Sequence, residues 1–394
     1  MSCATRNFHI NSDSNLLSPF LSYFAPLLFT LMLYYMGFSV YFTSGSNIET
    51  LLSLVIIFFV PLFYMQTPMR KPSNSFALDF HVGKVVLWMT GASTIAYVIQ
   101  LAVLGMPPLL KARNKAAYFV FGVSLFFYLA QFVAPMAYAW WRISGKKLFL
   151  FAYFLNLSML VSMMNKNPVI QTLCATFFMH LLFSKRKITF LWLKVFGFAC
   201  MLVIVVYMMF LLNPVFANYE GYFYILQKEQ GVIGIKDPIL SLIYMYAASN
   251  WENFFHFLEN PAGYSYGSMF FQPVVKLLKI DAIIPSVVYP ELITSTLKSP
   301  RLITATAFFR MFCDFGYFSL FTYLVVYFGA VYCNYRRLVK KCTFSRIYFQ
   351  VYLNVFLAFM FFDNYFFLTI SAFGFVCAFF FIKLSRFRFV WGAP

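Results

Sequence analysis

Residues Thr304–Tyr332 read TATAFFRMFCDFGYFSLFTYLVVYFGAVY. Almost every side chain would partition into oil, and the run exceeds the ~20 residues that a helix needs to cross a bilayer. Yet Arg310 and Asp314 stand four residues apart near its start. On a helix that spacing puts them on one face, where they can pair. In water such a pair contributes little. At a membrane boundary a lone carboxylate is costly, so pairing makes the helix insertable. A second reading adds a polyvalent anion: Arg310 offers it a fork of donors while Asp314 holds the guanidinium in position. A diphosphate at a membrane surface is such an anion.

The rest of the chain fits that setting. Of 394 residues, 62% are hydrophobic and 22% aromatic, with only 11% charged, and the mean hydropathy is +0.76. A soluble domain cannot cover that much apolar surface. The expected fold is an all-α polytopic membrane protein with about ten spans, near residues 16–42, 48–65, 82–106, 116–141, 147–164, 168–183, 188–212, 305–333, 346–362 and 364–383. The chain divides accordingly into spans one to seven (1–212), a long extramembrane loop with short helices (213–303), and spans eight to ten with a tail (304–394). The polar start shows no small-residue cleavage site, so no cleavable signal peptide is expected.

The net charge of +18 suggests nucleic acid at first sight. Loop position explains it better, because cations between spans fix orientation. With the N-terminus in the cytoplasm, the inside connections hold Arg70 and Lys71, then Arg142, Lys146 and Lys147, then Lys185, Arg186 and Lys187. Arg336, Arg337, Lys340, Lys341 and Arg346 follow, with Lys383, Arg386 and Arg388 near the C-terminus, so both termini are expected inside. Two short outside turns break the pattern: GMPPLLKARNK with Lys111, Arg113 and Lys115, and MMNKNPV with Lys166. Cations placed against the orientation rule point to an anion bound outside.

The loop 213–303 is patterned. DPILSLIYMYAASNWENFFHFLENP opens with Asp237 as an N-cap and Pro238 at the first helical position, keeps apolar residues at helical spacing, and stops before Pro261. GYSYGSMFFQPVVKLLKI then gives a Gly-rich turn and a short apolar segment. Apolar content of this kind suits packing on the bundle or at the bilayer interface. Trp251, Tyr264 and Tyr266 suit stacking on sugar rings.

Missing motifs narrow the chemistry. No Walker A sequence, GxGxxG with a following acid, HExxH or outside DxD occurs, which argues against an ATP-driven pump, a nicotinamide enzyme, a zinc protease and a metal-dependent sugar-nucleotide transferase. Seven cysteines without a CxxC and four scattered histidines suggest neither a disulfide framework nor a metal site.

Three stretches carry a resemblance: GMPPLLKARNK, NKNPVIQTLCATFFMHLLFSKRKI and TATAFFRMFCDFGYFSLF. Together with the layout they resemble the Wzy-type family of O-antigen and oligosaccharide repeat-unit polymerases. Where that family usually has Arg in a Gly/Ser-rich turn, this chain has Lys166 between asparagines. The resemblance implies a membrane-embedded, GT-C-like glycosyltransferase of the bacterial inner membrane, acting on the periplasmic face without metal, nucleotide or other cofactor. Its substrate would be an undecaprenyl-diphosphate-linked oligosaccharide, and its partners membrane lipid, a chain-length regulator protein and a flippase, with no nucleic acid. On that reading Arg113, Lys166, Arg301 and Arg310 bind diphosphate, and Glu252, His256 or Glu291 is the base that takes the acceptor proton. Glu252 and His256 are four residues apart and share a helix face; plain surface polarity would also account for each. A flippase or other transporter for the same lipids, and the related ligase that moves glycan to a lipid A core, are the alternatives.

Overall fold

The computed structural model describes residues 17–39, 47–65, 75–110, 122–183, 237–259, 263–278, 306–363 and 368–386, with shorter pieces between them. The architecture is all-α. Among the described residues three helices are long and apolar enough to cross a membrane: Val82–Leu104, Val123–Ser144 and Tyr317–Lys340. Pro19–Tyr35, Ile48–Tyr64, Lys147–Ser162 and Thr369–Ser385 are shorter apolar helices. Extended pairing among the described residues is confined to a two-residue antiparallel ladder, Phe8 opposite Phe76, and an isolated bridge from Ala77 to Thr343.

In chain order the helices are α1 (Pro19–Tyr35), α2 (Ile48–Met65), α3 (Val82–Leu104), α4 (Val123–Phe127), α5 (Leu129–Ser144), α6 (Lys147–Ser162) and α7 (Lys166–Leu182). They continue as α8 (Pro238–Glu259), α9 (Gln272–Leu277), α10 (Ala307–Phe315), α11 (Tyr317–Lys340), α12 (Phe344–Ala358) and α13 (Thr369–Arg386). The span expected at 188–212 falls mostly outside the described residues.

Helix α5 is central. Its run from Leu129 to Ala137 is buried throughout, with α3, α6, α7 and α13 packed around it. Pro135 interrupts its ladder. A proline has no N–H for the carbonyl four residues earlier, here that of Gln131, and a buried carbonyl needs a donor. Tyr352 of α12 supplies one, its hydroxyl donating to Gln131 O at 2.6 Å. Thr172 of α7 donates to the same oxygen at 3.4 Å. Helix α2 repeats the device: Pro61 frees the carbonyl of Ile57, and Tyr23 of α1 donates to it at 3.0 Å. In both cases a helix break becomes a tie between helices.

Side-chain amides join other helices in the same way. Asn156 of α6 donates to Thr90 and accepts from Ser93 of α3, at 3.1 and 2.8 Å. Asn334 of α11 donates to Gln350 of α12 at 2.9 Å. Such bonds hold helices together where burial against lipid gives little drive.

The bundle has two distinct ends. At one, Ala77 N donates to Cys342 O and the Ser345 amide and hydroxyl donate to Asp79. Arg346 donates to the carbonyls of Arg337 and Lys341, closing the C-terminus of α11. Arg142, Lys146, Lys147, Arg336, Arg337, Lys340 and Lys341 belong to this end by their places in the helices. The other end carries the α1–α2, α3–α4, α6–α7 and α12–α13 connections, with α8, α9 and α10 packed among them.

Candidate functional site

Helix α8 starts as its sequence requires: Asp237 Oδ1 accepts from the Leu240 amide at 2.8 Å, satisfying one of the first-turn N–H groups. Its far end is tied to the start of α2, where Asn47 Nδ2 donates to Glu259 Oε1 at 3.1 Å. Between these points α8 is enclosed. Trp251 is fully buried, with its ring against Phe254, Phe255 and Phe308 and its indole N–H on Thr30 Oγ1 at 3.2 Å. This corrects the sugar-stacking expectation for Trp251, because neither ring face reaches solvent. Its row of aromatic neighbours made it core. Glu252 is also buried, together with Ser249, Asn250 and Asn253; surface polarity therefore does not describe it. His256 is half-buried.

The Arg310–Asp314 stretch departs most from expectation. It does not begin a continuous helix through Tyr332. Helix α10 ends at Phe315, and Gly316 at φ +64° turns the chain into α11. A side chain at Gly316 would meet the Tyr264 ring, whose Oη is 3.2 Å from the position of an added Cβ. Most of α10 is buried, including Ala307, Phe308, Phe309, Met311, Phe312 and Cys313, so it is a packed element of this end.

Asp314 does not pair with Arg310. Its carboxylate, 0% exposed, gathers the turn that follows α8. Oδ1 accepts the Ser265 hydroxyl and the amides of Gly267 and Met269, the latter two at 3.1 and 3.0 Å. Oδ2 accepts the Phe270 amide at 3.0 Å and the Tyr323 hydroxyl at 2.7 Å. The backbone adds two further bonds, Ser265 N to Cys313 O at 2.7 Å and Tyr266 N to Asp314 O at 3.1 Å. Five donors on one carboxylate offset the cost of burying its charge. The turn presents Tyr264 and Tyr266 outward; Tyr266 is 76% exposed and holds φ +48°.

Arg310 turns to a different acid. Its Nε lies 2.8 Å from Asp363 Oδ1, and Nη2 donates to Asp363 Oδ2 at 3.3 Å. Nη1 donates to Gln272 Oε1 of α9 at 3.0 Å. One guanidinium thus ties α9, α10 and the α12–α13 connection. Lys166, at the N-terminus of α7, points Nζ at Tyr246 of α8: 3.5 Å from its hydroxyl and 5.7 Å from the ring centroid. Tyr246 in turn packs on Phe362, next to Asp363, with centroids 5.8 Å apart. Lys166 and Arg310 are therefore joined through Tyr246, Phe362 and Asp363. Arg113, Arg301 and Glu291 lie outside the described residues. Among the described residues no three His, Cys, Asp or Glu side chains gather in a way that could hold a metal ion.

Two partners were not foreseen. Asp363 had a visible signal, since an acid in the otherwise apolar FFDNYFF needs a partner in or near a membrane. Gln272 had none. No known protein family, curated protein or solved structure matches the chain.

Proposed function

We propose that this protein is a membrane-embedded, GT-C-like glycosyltransferase with about ten spans that polymerises undecaprenyl-diphosphate-linked oligosaccharide repeat units. On this reading it sits in the bacterial inner membrane with both termini cytoplasmic. The end holding Lys166 and Arg310 faces the periplasm, and a chain-length regulator and a flippase work beside it. The observation that carries the proposal is the joining of Lys166 and Arg310 at the bundle end covered by α8 and α9, beside a turn with outward tyrosines.

The chemistry follows from those groups. A hydroxyl of the acceptor sugar attacks the anomeric carbon of the donor glycan. The new C–O bond forms as the bond to the diphosphate breaks, the electron pair leaves with the lipid diphosphate, and the hydroxyl proton passes to a base. Glu252, His256 and Glu291 are the candidate bases. Charge grows on the bridging oxygen, and a preoriented cation there lowers the barrier by about 3 kcal/mol. Asp363 and Gln272 preorient Arg310; Lys166 adds a second cation, and Arg113 and Arg301 are assigned to the same anion. Tyr264 and Tyr266 stack on the glycan.

The test is the purified chain in vesicles, given a defined lipid-linked repeat. Longer glycans, read by gel and mass spectrometry, are expected. Relocation of the lipid without a new glycosidic bond indicates a flippase, and transfer only onto a different acceptor indicates a ligase; either result overturns the proposal.

A further inference from the structure

The turn built on Asp314 lies beside a helix long enough to span a bilayer, not above it. The basic end of α11 sets the frame: Arg336 and Arg337 mark one membrane edge. Counting back, residues 317–335 rise roughly 28 Å at about 1.5 Å each, which matches a ~30 Å hydrocarbon core. The whole stretch from Tyr317 is therefore needed to cross. Tyr323 is then ~9 Å below the opposite edge. Phe270 stacks on Tyr323, with centroids 5.0 Å apart and planes 21° from parallel. Tyr266 packs on Phe315 at 6.2 Å, and an added Cβ at Gly267 would contact the rings of both Phe271 and Phe315. The turn 266–271 thus runs alongside the first turns of α11.

Its outer surface is apolar at the same level. Phe271, Val274 and Leu278 are exposed at 56%, 49% and 61%, spaced three and four residues apart along one side of α9. On α11, Phe318 and Phe321 are exposed at 73% and 51%. Phe315, itself exposed, lies between them in contact with Tyr266 and beside Gly267. Gln272, away from that exposed row, is buried and receives Arg310.

We propose that the segment Gly267–Leu278 is a membrane-interface element, seated in the boundary between headgroups and acyl chains of the leaflet at this end, and that Asp314 makes this possible. Irregular backbone at that depth needs acceptors from the protein, because the hydrocarbon has none. The amides of Gly267, Met269 and Phe270 all end on Asp314. A seat about 5–10 Å deep is ordinary for an amphipathic interfacial segment, and it agrees with the Tyr323 count. Continuity with the exposed row of α11 selects lipid as the occupant. The consequence is positional: bilayer contact on one side of α9 sets the level of Gln272, and so of Arg310, at the headgroup layer.

The test places single tryptophans at Phe271→Trp and, separately, Leu278→Trp in the full chain reconstituted in phosphatidylcholine vesicles. Emission is read as the difference from the parent, which carries six native tryptophans. Lipid brominated close to the glycerol end of the acyl chain is expected to quench most of the added emission at both positions, and aqueous iodide little. Quenching by iodide without quenching by bromolipid puts the segment in water. Quenching by neither means that protein covers it. Either result overturns the proposal, and should one variant fail to fold the other decides.

Discussion

Replacing Asp314 by Asn tests the reading of this residue with almost no change in shape. Five donors converge on the carboxylate, three on Oδ1 and two on Oδ2. The amide keeps one oxygen. Set at Oδ1, that oxygen still serves Ser265, Gly267 and Met269, now without charge assistance. The NH2 then faces two donors. Tyr323 can rotate its hydroxyl to accept, but the Phe270 N–H cannot and loses this acceptor. Removing the acceptor of a buried donor costs about 1–3 kcal/mol, and the weakening of the remaining bonds adds to it. A loss near 3 kcal/mol is expected, confined to the turn. At about 1.4 kcal/mol per factor of ten, local opening becomes roughly 100-fold more frequent. Hydrogen exchange of the reconstituted protein reads this directly: the Gly267, Met269 and Phe270 amides should lose about that much protection, while the Asn156 region of α6 keeps its own. Unchanged protection at those amides would refute the assignment of Asp314 as the acceptor that shapes the turn.

Other changes probe separate parts of the molecule. A Cβ at Gly374 would fall 2.2 Å from Phe132, a fully buried ring stacked on Tyr352. Gly374→Ala should therefore lower thermal stability by about 1–3 kcal/mol, read as the midpoint in a detergent-solubilised melt. Tyr352→Phe and Tyr23→Phe each remove the donor to a proline-freed carbonyl and should cost about 1 kcal/mol, whereas Tyr35→Phe, at an exposed ring, should leave the same melt unchanged. Gly316→Ala combines a positive φ with contact against Tyr264 and should destabilise the end of α10 by about 1–3 kcal/mol, seen as faster exchange in α10. In the reconstituted polymerisation assay, Arg310→Gln should lower kcat by about 100-fold. Asp363→Asn should raise KM with a smaller change in kcat, since it loosens Arg310 without removing the cation.

Much of the helical frame was legible. The expected limits 48–65, 82–106 and 147–164 meet helices at Ile48–Met65, Val82–Leu104 and Lys147–Ser162, because unbroken apolar runs between polar turns leave few alternatives. Helix α8 was legible from chemistry, with Asp237 and Pro238 fixing its start. The break at Gly316 was not: the apolar run continues across it, and only the approach of Tyr264 and the positive φ show why glycine stands there. The companions of Asp314 were hidden for a different reason, since three of its five donors are backbone amides, which any sequence possesses. Arg310 finds its acid 53 residues away, beyond any local spacing rule, and the i,i+4 neighbour was a misleading match. Trp251 shows the same ambiguity in aromatics, which read alike as a core row and as a sugar platform until burial decides. That Lys166 and Arg310 share an end was legible from loop layout alone.

The most direct measurement is where a lipid diphosphate rests. An undecaprenyl-diphosphate-linked glycan with a photoreactive group beside the diphosphate can be cross-linked to the reconstituted protein, and the labelled peptides mapped by mass spectrometry. The expected result is label on the peptides that carry Lys166, Gln272 and Arg310. Label concentrated on Arg337–Arg346 or Lys146–Lys147, at the opposite end of the bundle, would contradict the proposed site.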